Sequence, residues 1–236
     1  MLDLKGYGPT ILEGAVLTIE LALLSLLLSF VLGLIGASAK LAKGKAPRYI
    51  ATTYTTVIRG VPDLVLMFLI YYGGLNGMNA FTDWLYETSN GEIDWVITFN
   101  EFAAGVITIG IIYGAYMTET FRGAFMSVEQ GQIEAGKAYG MTSRQIFRRI
   151  MFPQMMRHAL PGLGNNWLVL LKTTALVSVI GLSDMVKVAT DAAKSVGEPF
   201  LFFIPVALVY LGLTAVSEWG FKVLNARYSA GVAGAK

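Results

Sequence analysis

GQIEAGKAYGMTSRQIFRRIMFP, residues Gly131 to Pro153, is the most charged interior stretch of an otherwise oily chain. It carries Glu134, Lys137, Arg144, Arg148 and Arg149, with long apolar runs before and after it. Its local signals describe two short helices. Ile133 to Tyr139 is rich in helix formers, and Gly140 stands where a left-handed C′ residue stops a helix. Thr142 opens the second. Thr142 and Gln145 have the spacing of a capping box, in which hydroxyl and amide satisfy free backbone N–H groups. Ile146, Phe147 and Ile150 form one apolar stripe beneath the arginines. Pro153 either ends the unit or opens the next helix. On periodicity alone the stretch reads as an amphipathic loop between two membrane helices.

The composition supports that setting. Of 236 residues, 55% are hydrophobic and only 14% charged, a balance that suits an integral membrane protein. There is no cysteine, so no disulfide or thiolate metal site. The lone histidine, His158, argues against a histidine-based metal centre, and its place beside Arg157 makes it interfacial. No catalytic centre and no metal site are expected. The first residues contain Asp3 and Lys5, Glu13 follows, and no small-residue cleavage site closes the apolar run, so the N-terminus is expected to be retained.

Five apolar segments approach the about 20 residues a membrane helix needs. They run from Ala15 to Ala37, Val57 to Leu75, Phe102 to Phe121, Leu160 to Leu182 and Phe200 to Trp219. Backbone groups in hydrocarbon must pair internally, so each is expected to be a helix. The connections set an orientation. Lys40, Lys43, Lys45 and Arg48 lie between the first two spans, whereas Asp83, Glu87, Glu92 and Asp94 lie between the second and third. The Gly131–Pro153 stretch is basic again, the connection from Asp184 to Glu198 is mixed, and the tail holds Lys222, Arg227 and Lys236. The excess of cations on inner loops predicts an external N-terminus and a cytoplasmic C-terminus, with the charged stretch also inside. Trp84, Trp95, Trp167 and Trp219 fit interface anchors or packing. Gly33, Gly36, Gly105, Gly110, Gly114, Gly162 and Gly164 are expected to let helices approach closely.

Charges within such spans are expensive and therefore candidates for function. Glu13 and Glu20 share one face of the first helix, Glu20 lying deeper. In IRGVPDLVLM, Arg59 and Asp63 are one turn apart and able to pair, while Pro62 and Gly60 predict a kink. Glu119 and Arg122 share a face near the end of the third span, with Glu119 the better placed to face a cavity. Lys172 sits deep in GNNWLVLLKTTALVSVIGL.

The order Glu134-Ala135, Gly140, Ile150, Pro153 resembles the EAA loop of ABC importer permeases: Glu-Ala-Ala, three residues, Gly, nine residues, Ile, one residue, Leu-Pro. Both spacings are kept, with Gly136 in place of the third-position Ala and Phe152 in place of Leu. The segments around Arg59, around Glu119 to Gly123, and from Asn165 to Leu176 resemble the polar amino-acid group of these permeases. An acid at Asp63 is unusual there, and Ala175 replaces the usual Ser. Within the group, IRGVPDLVLM and LKTTALVSVIGL look most like the histidine/lysine/arginine/ornithine and arginine permease subunits. The likeness extends from about Glu13 to Arg227.

The resemblance implies an all-α, five-helix type-1 (MetI-like) permease fold over residues 13–227, in a bacterial inner membrane. It implies a transport subunit rather than an enzyme, for basic amino acids. The partners it implies are a second permease subunit (alike or different), two ATP-binding subunits and an external binding protein. ATP and Mg would belong to the ATPase, since this chain has no GxxxxGK[ST] loop; nucleic acid is not an expected ligand. Glu134, Ala135, Gly136, Gly140 and Arg144 would couple to the ATPase. Glu20, Arg59, Asp63, Glu119, Asn165 and Lys172 would line the substrate pathway. An autonomous secondary transporter is the alternative, but its inverted repeat is not visible in five spans. A membrane scaffold without transport would not require polar positions in the second to fourth spans.

Overall fold

The computed structural model describes residues 4–89 and 100–229. Glu92, Asp94 and Trp95, together with Asp3 and Lys236, lie outside the described residues. The chain is all-helical among those described. The order is α1 Gly8–Leu41, α2 Lys45–Gly60, α3 Asp63–Thr88, α4 Glu101–Met126, α5 Gln130–Ala138 and α6 Ser143–Ile146. A π-helical turn, Phe147–Met151, leads into α7 Phe152–Thr173, which tightens to a 3-10 segment over Thr174–Ile180. Helices α8 Met185–Val196 and α9 Pro199–Ser229 complete the order. Five helical stretches are long and apolar enough to cross a membrane: Gly8–Leu41, Asp63–Thr88, Glu101–Met126, Ser143–Ile180 and Pro199–Tyr228. The fold class expected from sequence, all-α with five membrane helices, is the one observed.

Helix α4 is the hub. It runs beside α1 along most of its length and also meets α2, α3 and α7. The seam with α1 depends on small residues. A Cβ at Gly36 would fall on Thr118, and one at Gly33 on the Met117 side chain. Reciprocally, a Cβ at Gly110 would lie 2.5 Å from Leu28, and one at Gly114 2.8 Å from both Leu32 and the Tyr54 hydroxyl. Glycine on alternate sides lets each backbone sit against the other helix's side chains. One apolar cluster (Leu21, Met67, Ile109, Ile112, Leu170, Val177) fills the middle of the bundle. A second joins α8 to α1 and α9, and a third joins the ends of α1, α4 and α7. Outside, Leu12, Leu27 and Ile35 of α1 and Phe200, Leu211, Val216 and Trp219 of α9 are exposed. Such continuous apolar faces fit lipid or a neighbouring subunit rather than water.

The first, third and fifth spans run longer than the sequence reading gave, and three further differences change the architecture. The span expected over Val57 to Leu75 is broken: α2 stops at Gly60 and α3 restarts at Asp63. Pro62 has no N–H to continue the ladder, and its ring pushes Val61 to the extended region (φ −111, ψ 137). The expected kink is therefore a full interruption. The expected fourth span starts earlier, with Pro153 in the first turn of α7, and its last turns are 3-10. The stretch read as a mixed-charge connection from Asp184 to Glu198 contains α8. Asp184 caps it, accepting the Lys187 N–H at 2.8 Å, and Gly197 ends it in the left-handed region at φ +79. Among the described residues the second carboxylate oxygen of Asp184 is buried with no hydrogen-bond partner, and burial pushes this carboxyl up to about 6.

The seam makes a direct prediction. Gly36→Val should lower stability by about 1–3 kcal/mol through overpacking. Gly123→Ala, in open space on the same bundle, should be neutral or gain about 0.5–1 kcal/mol from helix propensity. Thermal unfolding of the detergent-solubilised chain compares them, and equal midpoints would contradict this packing.

Candidate functional site

The interruption between α2 and α3 turns polar side chains toward α4. Arg59, in the last turn of α2, lies over the Tyr116 ring with its guanidinium carbon 5.1 Å from the centroid. Asp63, the first residue of α3, interacts electrostatically with Tyr113 of α4. Arg59 and Asp63 therefore do not pair with each other as their spacing allowed; each meets its own tyrosine of α4. Tyr113 also shares a 2.6 Å hydrogen bond with Thr173 at the end of α7. The neighbouring Thr174 contacts the Tyr210 hydroxyl of α9 at 3.2 Å. Helices α4, α7 and α9 thus converge on the break between α2 and α3.

A cleft of about 430 Å³ opens beside it, lined by Lys40, Thr55, Thr56, Arg59, Tyr116 and Glu119. At its floor Lys40, from the last turn of α1, is paired with Glu119. Arg122 donates to the same carboxylate at 2.9 Å. The Lys40 side chain is only 11% exposed and that of Glu119 20%, so this pair is largely withdrawn from water, with the more exposed Arg122 at its edge. Two cations on one carboxylate leave a positive excess at this end of the bundle.

Of the residues expected to line a pathway, Arg59, Asp63 and Glu119 are brought to this one region. The others are elsewhere. Asn165 is exposed and lines a separate cleft of about 340 Å³ between α7 and α9, with Glu218, Lys222 and Asn225. Its neighbour Asn166 is the buried one, donating to Thr120 at 3.0 Å. Lys172 and Glu20 are exposed on α7 and α1, and neither is in an ion pair among the described residues. Lys40, Thr55, Thr56 and Tyr116 of the cleft escaped the sequence reading, as did Tyr113 beside the break. Tyr113, Tyr116 and Glu119 recur every third residue on α4, a shared-face signal that was legible. The pairing of Lys40 with Glu119 carries no sequence period.

The Gly131–Pro153 stretch forms a compact unit at the Lys40 end of the bundle. Helix α5 stops at Gly140, which is left-handed at φ +75, and its N–H returns to the Lys137 carbonyl at 2.9 Å. Thr142 and Gln145 make both bonds of the capping box. A Cβ at Gly136 would lie 2.9 Å from Ile150, so glycine suits a position sealed by the apolar stripe. Gln154 of α7 hydrogen-bonds Gln132 of α5 and ties the unit to the membrane helix. Glu134, Ala135, Gly140 and Arg144 are exposed, and Tyr139 is 89% exposed beside them. An ordered helix with an uncovered face and a bare aromatic ring has the form of a docking element.

Residues 15–230 match the family described as "Binding-protein-dependent transport system inner membrane component". The chain is 54% identical over 229 residues to the histidine/lysine/arginine/ornithine transport system permease protein HisQ of Salmonella typhimurium, covering 97% of each. It is 52% identical to HisQ of Escherichia coli over the same coverage. Among solved structures it is similar to a crystal structure of "an amino acid ABC transporter with histidines". There the TM-score is 0.78 at 30% identity, over 96% of this chain and 97% of that one.

The charge triad is testable alone. Glu119→Gln leaves Lys40 without its counter-ion in a site mostly shut off from water, and should cost about 1–3 kcal/mol, between the exposed and fully buried cases. Lys40→Met combined with Glu119→Gln should recover most of that loss. Thermal midpoints of the three variants decide it; additive losses would show that the two groups do not depend on each other.

Proposed function

The chain belongs to the family of binding-protein-dependent transport system inner membrane components, and on that footing we propose that it is a membrane-spanning permease subunit of an ATP-driven importer of basic amino acids. Residues 13–227 are its permease unit. The observation that carries the reading is the α5–α6 unit, an ordered and uncovered helix pair anchored on α1, α4 and α7, in a chain matched end to end by amino-acid permeases. In this reading the N-terminus is external, and the α5–α6 unit and the C-terminus are cytoplasmic. The chain pairs with a second permease subunit, two ATP-binding subunits seat on the α5–α6 units, and an external binding protein delivers the substrate. ATP and Mg are held by the ATPase, and this subunit performs no chemistry of its own.

Transport then divides between the two ends of α4. At the α2–α3 break, Asp63 offers a carboxylate to a cationic side chain, and Arg59 offers a guanidinium to the amino acid's own carboxylate. Glu119 is already held by Lys40 and Arg122, so its charge serves the walls of the cleft more than the substrate. ATPase closure pushes the α5–α6 unit, and the cleft opens alternately to the two sides. The substrate biases that equilibrium only through different affinity for the two conformations.

Two measurements test this. Gly140→Arg places an L side chain at φ +75 and a long cation on the docking face. It should abolish ATP-dependent uptake by the reconstituted complex while the thermal midpoint of the membrane subunit stays near the parent's. Normal uptake would remove the coupling role. Asp63→Asn should weaken arginine and lysine uptake by about tenfold or more, the worth of one charge-assisted hydrogen bond, and neutral amino acids far less. Equal loss for both classes would remove the substrate assignment.

A further inference from the structure

At the Lys40 end of the bundle, a second cleft of about 390 Å³ shares Lys40 with the first. Lys40, Leu41, Arg48, Thr52, Arg122 and Met126 line it. Its three cations come from three different helices, α1, α2 and α4, and no acid is in its lining. Among the described residues Glu119 is the only carboxylate paired with any of them. Three cations against one carboxylate leave an excess of two positive charges.

The two guanidinium groups hold donors in reserve. Arg48 donates to the Ala42 carbonyl at a long 3.3 Å, and Arg122 Nη1 is turned to the Met126 sulfur, a weak acceptor, at 3.1 Å. Thr52 is exposed beside them and offers a hydroxyl. The helix ends set the depth of the cleft. Lys40 and Leu41 close α1, Arg48 is in the first turn of α2, and Arg122 and Met126 lie in the last turns of α4. The apolar runs of α1 and α4 give out at Ala37 and Phe121, so the cleft sits where these helices leave hydrocarbon for the headgroup layer.

We propose that this cleft binds a phosphate group, carried by an anionic phospholipid of the inner leaflet or free in the cytosol. The choice of leaflet rests on the importer reading; the cleft and its charge do not. A cationic amino acid is repelled by the excess charge, so this is not a second place for the substrate proposed above. A carboxylate is planar and engages one guanidinium fork at a time. A phosphate is tetrahedral and presents oxygens to two forks and an ammonium together. Leu41 and Met126 give its ester side an apolar wall.

The sequence has no cysteine, so Thr52→Cys puts a single thiol in the cleft wall, and Thr53→Cys, an exposed neighbour outside the lining, is the control. Alkylation by iodoacetamide, a neutral reagent, is read on this chain by mass, in the intact transporter complex in maltoside detergent, which carries no phosphate. Occupancy should slow the Thr52→Cys thiol and spare the Thr53→Cys thiol. Adding Arg48→Gln should raise the concentration for half-protection about tenfold, the worth of one charge-assisted hydrogen bond. Protection by inorganic phosphate shows that the free anion suffices. Protection by phosphatidylglycerol alone, at a mole fraction where phosphatidylcholine gives none, identifies the lipid headgroup. Equal protection by acetate at the same ionic strength would overturn the proposal, as would equal slowing of both thiols, protection that Arg48→Gln does not weaken, or none from either phosphate source. So would a thiol unreactive throughout, which would mean that protein of another subunit fills the cleft. Thiol reactivity reads occupancy alone, so each of these failures leaves the transport reading standing.

Discussion

The close seam between α1 and α4 is the constraint on which the rest depends. Lipid chains are as apolar as leucine, so helices in a bilayer gain little from hiding apolar surface from each other. What remains is van der Waals contact, which falls off steeply with separation. Gly33, Gly36, Gly110 and Gly114 allow that contact by leaving space where the opposite helix's side chains lie. With the seam closed, Lys40 and Glu119 are brought into one ion pair although they are far apart in the chain. The seam also directs the Tyr113 and Tyr116 face of α4 toward the α2–α3 break. The polar cleft is thus a consequence of an apolar packing decision.

The break has the opposite character. An interruption in a spanning helix frees backbone groups that hydrocarbon does not satisfy. Here it lies against α4 and beside a cleft lined by polar side chains. Arg59 and Asp63 sit on the two sides of Pro62, and each is met by an aromatic or hydroxyl group of α4 rather than by the other. A charge pair closed on itself would have little left for a ligand. Two charges held apart by tyrosines remain able to receive the two ends of an amino acid, which is the feature that links this geometry to the proposed substrate class.

Much of this was legible in the sequence, for reasons that differ by element. Gly140 and the Thr142–Gln145 box read correctly because caps are local: a few residues decide them. The packing glycines read correctly because small residues in apolar helices have few other uses. The α2–α3 break was read as a kink because an apolar run across it looks continuous, although Pro62 marked the place. Helix α8 was passed over because its exposed face makes the stretch resemble a polar connection, even with Asp184 and Gly197 marking its ends. Glu20 and Lys172 were chosen on the cost of burying charge, and Asn165 with the segment that carries the family resemblance; in this chain all three are exposed. The partner that Lys40 supplies to Glu119 was out of reach, since no local pattern connects a loop-edge cation to a residue three helices later.

These parts have different stiffness, and that difference gives the proposed importer its mechanics. The cluster beneath the α5–α6 unit joins Val128, Ile133 and Met151 to Ala37, Met117 and Phe121, so a push on the unit reaches α1 and α4 together. The glycine seam makes those two helices one body, because sliding them would drive side chains into backbone. Helix α2 is held differently. It meets the pair through Tyr54 on the Ile111 carbonyl and Arg59 on the Tyr116 ring, and connects to α3 through two extended residues, Val61 and Pro62. Hinges form where a few non-helical residues can absorb a change in backbone angle. In the proposed importer the joint able to yield is then Val61–Pro62, and the surface it would open is the one between α2 and the α1–α4 body. That surface is the cleft, so in the proposed mechanism force entering at the uncovered helix pair would change the shape of the site and leave the seam intact.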